Sequence, residues 1–356
     1  MTVYIVFYQL YAKKYSIMFF NITIAASLYM QKEKMGLDMD KISLPKPLEQ
    51  ISKDEIERKM HIAKVMTKTL SYLTQTFIEN GFEWLLPVVF SKSTDPLWPD
   101  PGASIEKRIE TEIYGETVRT TLSMIVHKIV ASSLVTPKLF TLSPNVRIES
   151  RDRRFTGWHL YEFTQLDFEI RGASSSDVIS FVNSTLRGLI FYLKKNARAE
   201  LEYLDVYDRL KVPEVPLKVY DRIWLEEKYG QEWESRFKED IIEPAWVINI
   251  PREFYDYEDF STGRWDNYDL ILPKYGEVLS GARREWEYEK LVKKMERDGV
   301  RKENYLLLLE LAKEGKIKPS AGAGIGVERL VCWIVGSRHV GEVQLFPKIP
   351  GIVYDL

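Results

Sequence analysis

From Ser52 onward the chain switches repeatedly between two hydrophobic rhythms. Apolar residues at Met60, Ala63, Met66, Leu70, Leu73 and Phe77 keep helical spacing. A capping box, Ser52-Lys53-Asp54-Glu55, precedes them and Asn80-Gly81 follows as a stop. Phe82 to Phe90 reads as a strand interrupted by Pro87, which belongs at an edge or a bulge. Ile113 to Thr121 alternates as a strand, and Leu122 to Ser133 fits a short helix starting near Ser123. Val146 to Glu149 and Phe163 to Ile170 alternate apolar and polar, with a polar, basic stretch, Ser150 to Gly157, between them. That pattern predicts two half-buried antiparallel strands joined by a long hairpin loop.

Further on, Ser174-Ser175-Ser176-Asp177 caps a helix running to about Lys195. Leu217 to Lys228, Gln231 to Lys238, Glu285 to Asp298 and Glu303 to Lys313 also read as helices. Pro244 to Ile250 is a strand, and Tyr268 to Leu272 with Glu277 to Leu279 form a second hairpin. The run from Ala321 to Arg329 leads into an apolar helix, Leu330 to Gly336. Strands that come in hairpins, with helices between them, predict an α+β fold with an antiparallel sheet flanked by helices.

Composition narrows the setting. The 356 residues are 45% hydrophobic and 29% charged, with a net charge of −2. No global field favours nucleic acid, so an RNA partner would need a local basic patch. The one cysteine, Cys332, lies in an apolar run, which excludes an internal disulfide and points to an inert thiol. Four histidines leave little for a metal cluster of their own. Ser16 to Met30 is apolar behind Lys13 and Lys14, but too short and too polar for a confident span. Residues 1–51 are therefore read as an N-terminal extension and 52–356 as the working domain. The expected compartment is the cytoplasm, with no membrane association of that domain.

The hairpin strands carry a cation, acids, an imidazole and an aromatic ring: Arg147, Glu149, His159, Phe163, Asp167 and Glu169. Such a set suits a nucleoside triphosphate, although charged strand faces turned to water give the same pattern. Gly322, Gly324 and Gly326 before Arg329 match neither a dinucleotide nor a P-loop fingerprint. Alternating glycines instead let a strand pass close to a ligand or a facing element. Glu277 and Ser280 are hard oxygen donors at a spacing compatible with magnesium, or simply a solvated turn.

Taken in order, these segments resemble the three motifs of class II aminoacyl-tRNA synthetases, aspartate/asparagine branch. Phe82-Glu83 to Pro87 after a long helix resembles motif one, the dimer interface. Arg147 and Glu149, then His159, then Glu162 to Asp167, resemble motif two. Gly322 to Leu330, with Phe346-Pro347 downstream, resembles motif three. The resemblance implies ATP and Mg2+ as reactants. It places Arg147 on the α-phosphate, Glu149 on the adenine amine, Phe163 and Arg329 on the two faces of the base, and Arg329 with His159 toward the γ-phosphate. Glu277 and Ser280 match the magnesium positions. Ser123, Lys128, Asp167 and Arg284 match the amino-acid pocket, where two cations with one acid favour a carboxylate side chain. A homodimer through the motif-one helix and strand is implied as well.

Two departures shape the expected function. Trp158 stands where the family usually has arginine, and the motif-two loop is longer than usual. Only about fifty residues precede motif one, too few for the family's anticodon-binding OB domain. A core of this kind resembles the archaeal asparagine synthetases related to asparaginyl-tRNA synthetase, and that resemblance implies an asparagine synthetase here. It would activate aspartate as aspartyl-adenylate and amidate it with ammonia, without tRNA. An aspartyl- or asparaginyl-tRNA ligase and a non-catalytic paralogue are the alternatives.

Overall fold

A computed structural model describes residues 42–95 and 105–355. The apolar run Ser16–Met30 and residues 96–104 of the Pro/Asp-rich loop lie outside the described residues. Leu44–Leu356 forms one compact unit, to which everything below refers.

The unit opens with α1 (Lys53–Glu79), whose Ser52 capping box with Glu55 forms as expected. The short strands β1 (Glu83–Trp84), β2 (Phe90–Ser91) and β3 (Ile105–Lys107) follow. Next come β4 (Glu110–Ile113), β5 (Glu116–Thr120) and α2 (Ile125–Leu134). The central hairpin is β6 (Lys138–Val146), β7 (Ile148–Glu149) and β8 (Glu162–Arg171). After it run α3 (Ser175–Asn196), α4 (Arg198–Tyr203), β9 (Lys218–Asp221), α5 (Arg222–Tyr229) and α6 (Trp233–Asp240). Strands β10 (Ala245–Ile248), β11 (Glu258–Asp259), β12 (Arg264–Trp265), β13 (Asn267–Leu272) and β14 (Gly276–Arg283) precede α7 (Tyr288–Asp298) and α8 (Leu306–Lys313). Last are β15 (Ser320–Gly326) and α9 (Val327–Val335).

Eight strands form the main sheet in the order β1-β6-β8-β15-β14-β13-β10-β9. The six central strands pair antiparallel, and only the edge strands β1 and β9 pair in parallel. One face is covered by α1 and α3, where the Phe77 ring lies 4.8 to 5.2 Å from those of Phe82, Phe140, Phe168 and Phe181. Because side chains alternate along a strand, Phe168 faces this aromatic core while Gln165, Asp167 and Glu169 point to the opposite face. A second core joins α2, α7 and α8 through Ile125, Ile129, Leu291, Met295 and Leu308.

Four expected elements differ. The strand expected over Val146 to Glu149 does not pair with β8 as a unit: Val146 ends β6, and Ile148–Glu149 pairs with β3 instead. Ile113 to Thr121 is not one strand: Tyr114 and Gly115 take positive φ (54° and 83°) and turn β4 into β5. Phe82 to Phe90 breaks into β1 and β2, because Pro87 has no N–H to continue a ladder. Leu217 to Lys228 begins as strand β9, since the Asp221 carboxylate caps the backbone N–H of Ile223 at 2.9 Å and α5 starts only there.

Candidate active site

On the face away from the aromatic core, β8, β14 and β15 floor an open cleft. Arg147, Glu149, Trp158, His159, Phe163, Gln165, Glu277 and Arg329 all line it. Phe163 and Arg329, far apart in sequence, thus face one shared space. Arg147 and Glu149 lie past the end of β6, where the loop turns back and Arg147 N–H bonds the Tyr161 carbonyl at 2.8 Å. The Arg147 guanidinium donates through Nε and Nη2 to Leu122 O (3.2 and 3.1 Å) and sits 5.1 Å from the Phe163 ring centre. Its Nη1 makes no hydrogen bond with the described residues.

Arg329 opens α9 and is braced by two carbonyls, Glu277 O at 2.9 Å and Trp158 O at 3.3 Å. It also ion-pairs with the Glu277 carboxylate at 3.6 Å. His159 Nδ1 contacts the Thr156 hydroxyl at 2.7 Å. Burial, with the charges of Arg329, Arg153 and Arg147, holds this imidazole well below the ordinary histidine value, so it is neutral near pH 7. Glu328 receives the Thr164 backbone N–H on both carboxylate oxygens at 3.0 Å, fixing the start of β8 to α9.

Deeper along β8 the charges pair with one another. Lys128 Nζ bonds Asp167 Oδ1 (2.9 Å) and Ala323 O (3.0 Å), all within the interior. Arg284 spends its guanidinium on Glu169 (3.2 Å), Asp256 (2.7 Å) and Gly322 O (3.0 Å). This buried cluster therefore holds three acids to two cations rather than one to two, which removes the electrostatic case for a carboxylate side chain. Asp167 Oδ2 is buried and has no hydrogen-bond partner. Ser123 donates to Asp95 Oδ2 at 3.0 Å, where Tyr255 OH also donates at 3.1 Å.

The glycines of β15 have a specific reason. A Cβ on Gly324 would lie 2.9 Å from Asp167 Oδ1. They make room for buried carboxylates on the neighbouring strand, not only for a ligand.

Glu277 and Ser280 share β14, and Ser280 stands directly across the ladder from Asp269 of β13. Asp269 is paired with Arg252, yet its Oδ1 is buried without a partner. Burial pushes its carboxyl up to about 8 against the pull of Arg252, with Glu277 and Glu234 adding to the rise. Among the described residues no three His, Cys, Asp or Glu side chains form a metal cage. Magnesium does not need one, since it binds one or two carboxylates together with substrate phosphates. An orphaned carboxylate oxygen beside Glu277 fits that ion.

Asp95, Asp256 and Asp269 are not singled out from sequence, and Glu169 is read there only as one of the charges on the hairpin face. Asp269 alone had a readable signal, an acid inside the otherwise apolar strand Tyr268 to Leu272. The others depend on pairings between distant segments. Cys332 is buried, its thiol pushed up by desolvation, and plays no part here.

Residues 47–350 match the family described as tRNA synthetases class II (D, K and N). The chain belongs to this family of ATP-dependent ligases. The asparagine–tRNA ligase of Pyrococcus abyssi is 26% identical over 355 residues, covering 92% of this chain and 80% of that protein. That of Thermococcus kodakarensis is 31% identical over 238 residues, covering 61% of this chain and 54% of its own length. The asparaginyl-tRNA synthetase of Pyrococcus horikoshii, solved with asparaginyl-adenylate, superposes with a TM-score of 0.73 at 22% identity, covering 88% of this chain and 76% of that one. The enzyme from Entamoeba histolytica, also with asparaginyl-adenylate, gives 0.71 at 21%, covering 82% and 67%. These likenesses agree in fold, and the relatives' names favour a tRNA ligase over the ammonia-dependent synthetase that the sequence put first. No helix among the described residues is long and apolar enough to cross a membrane.

Proposed function

We propose that the chain, through residues 52–356, activates asparagine with ATP and transfers the asparaginyl group to a tRNA. The observation that carries activation is the single cleft shared by Arg147, Glu149, Phe163 and Arg329. Adenine would stack between Phe163 and Arg329, with Glu149 accepting from its exocyclic amine. Arg147 Nη1 would then meet the α-phosphate as the amino-acid carboxylate attacks phosphorus and the bond to the bridging oxygen of pyrophosphate breaks. Mg2+, held by Glu277, Asp269 and the Ser280 side, would neutralise charge on the phosphates. A ribose hydroxyl at the tRNA end would displace AMP from the resulting anhydride.

The side-chain pocket supports asparagine over aspartate. Lys128 and Arg284 are already neutralised by Asp167, Glu169 and Asp256. An added carboxylate would meet excess negative charge, whereas a carboxamide can donate to the orphaned Asp167 Oδ2. Exposed apolar residues around β1 and β2, including Trp84, Leu86 and Phe90, support a homodimer through the motif-one region.

The test is to incubate protein with Mg2+ and ATP plus asparagine or aspartate, with tRNA or with ammonium. Asparagine-dependent pyrophosphate exchange and aminoacyl-tRNA are expected. Free asparagine made only from aspartate with ammonium would overturn this reading in favour of the amidation reaction.

A further inference from the structure

Beyond α9 the chain runs back along the loop that joins β7 to β8 and bonds its backbone at several points. Val340 N–H donates to the Gly157 carbonyl at 2.8 Å, and Tyr161 N–H donates to the Lys348 carbonyl at 2.9 Å. Trp158, His159 and Leu160, which line the cleft, lie between these two pins. Contact at the first pin is close: a Cβ on Gly157, whose φ is +71°, would fall 2.6 Å from the Arg338 carbonyl oxygen. Trp158 passes the placement on, since its own carbonyl accepts from Arg329 Nε at 3.3 Å.

A third pin is a side chain. His339 is fully buried and does not itself line the cleft. Gly341 N–H donates to its Nδ1 at 3.0 Å, and its Nε2 lies 3.0 Å from the Arg154 carbonyl oxygen. A backbone N–H only donates and a carbonyl only accepts, so the ring carries one proton, on Nε2. Burial favours that neutral form. The imidazole is a spacer of fixed polarity: one nitrogen is set by its own turn and the other holds the loop.

We propose that His339 is a positioning residue for adenylate formation. By tethering the Arg154 carbonyl it sets the loop so that His159 enters the cleft and the Trp158 carbonyl meets Arg329. This rests on the adenylation reading and adds a group outside the cleft to it. The Lys128–Asp167 pair stands on α2 and β8, so the tether should govern ATP and leave the amino acid alone.

Two variants each keep one of the two hydrogen bonds. In His339→Asn the amide oxygen takes the place of Nδ1 and the Arg154 tether is lost. In His339→Gln the amide N–H reaches toward the place of Nε2 and the tether is kept. Pyrophosphate exchange on the full chain should show KM for ATP raised about tenfold in His339→Asn, with KM for the amino acid unchanged. His339→Gln should recover most of that loss. Hydrogen exchange should quicken over residues 151–161 in His339→Asn but not in α1 or α3. Unchanged KM for ATP in His339→Asn overturns the proposal, and so does an equal rise in both variants. A fall in kcat with both KM values unchanged also overturns it, since that marks only a smaller folded fraction. Should the variants fail to fold, 15N shifts of the four histidines in the unsubstituted chain give the answer. His339 should appear as the Nε2–H form, and the Nδ1–H form overturns the tether. An unsubstituted chain with no exchange activity for any amino acid sinks the adenylation reading and this role with it, whereas the other failures sink the role alone.

Discussion

Gly322 faces Glu169 across the β8–β15 ladder so closely that a Cβ there would fall 2.2 Å from Oε2, and equally near the Phe168 carbonyl. The second clash is with backbone and cannot be relieved by a rotamer change. Gly322→Ala should therefore destabilise the fold by about 3 kcal/mol or more. Gly326→Ala, whose nearest neighbour is at 3.6 Å, should stay within about 0.5 kcal/mol. Urea unfolding of the two variants checks the contrast.

Lys128 holds one oxygen of Asp167 and the other has no partner, so under the proposed function that second oxygen would meet the amino acid. Asp167→Asn should raise KM for the amino acid at least tenfold with KM for ATP little changed, read from pyrophosphate exchange. Lys128→Ala leaves a buried carboxylate unpaired and should cost about 3–5 kcal/mol in stability.

Arg147→Ala should lower kcat for adenylate formation by about 100- to 1000-fold, because its guanidinium meets charge that grows in the transition state. Arg329→Ala should raise KM for ATP as well, since adenine loses one stacking face and Glu277 its partner. Single-turnover formation of the adenylate distinguishes the two patterns.

His159 is neutral in the free protein because burial and the charges of Arg329, Arg153 and Arg147 oppose its protonation, with His339 also facing it. A bound triphosphate reverses that local field and raises the imidazole toward or above its ordinary value. ATP binding near pH 6.5 should therefore take up protons. The uptake should shrink as pH rises past the bound-state value and vanish in His159→Gln. Calorimetry in buffers of different ionisation enthalpy reads the proton count.

Leu86 is 88% exposed and Trp84 50%, beside the exposed ring of Phe90. Leu86→Asp should convert a dimer to monomer in sedimentation velocity while leaving the thermal melt at low concentration nearly unchanged.

Much of this arrangement was legible before any coordinates. The Ser52 and Ser174 capping boxes and strand β8 follow from local pattern, whereas the strand expected over Val146 to Glu149 was misplaced: Lys138–Val146 pairs with β8 and Ile148–Glu149 with β3. What escaped were features set by partners distant in sequence. The acid surplus around Lys128 and Arg284 needs Glu169 and Asp256, contributed by separate strands and loops. A two-to-one count of cations over acids was therefore misleading, and so was the carboxylate preference drawn from it. The helix expected from Leu217 fails because apolar spacing cannot reveal that Asp221 caps a later start.

One strand carries Phe163, Gln165, Asp167 and Glu169 on a common face, so the recognition groups sit at graduations of about 6.7 Å. A substrate longer by one methylene gains about 1.5 Å of reach, far less than one graduation. If asparagine is the substrate, as proposed, glutamine would neither stay on the Asp167 mark without strain nor advance to the Glu169 mark, and the pleat itself would reject the longer homologue.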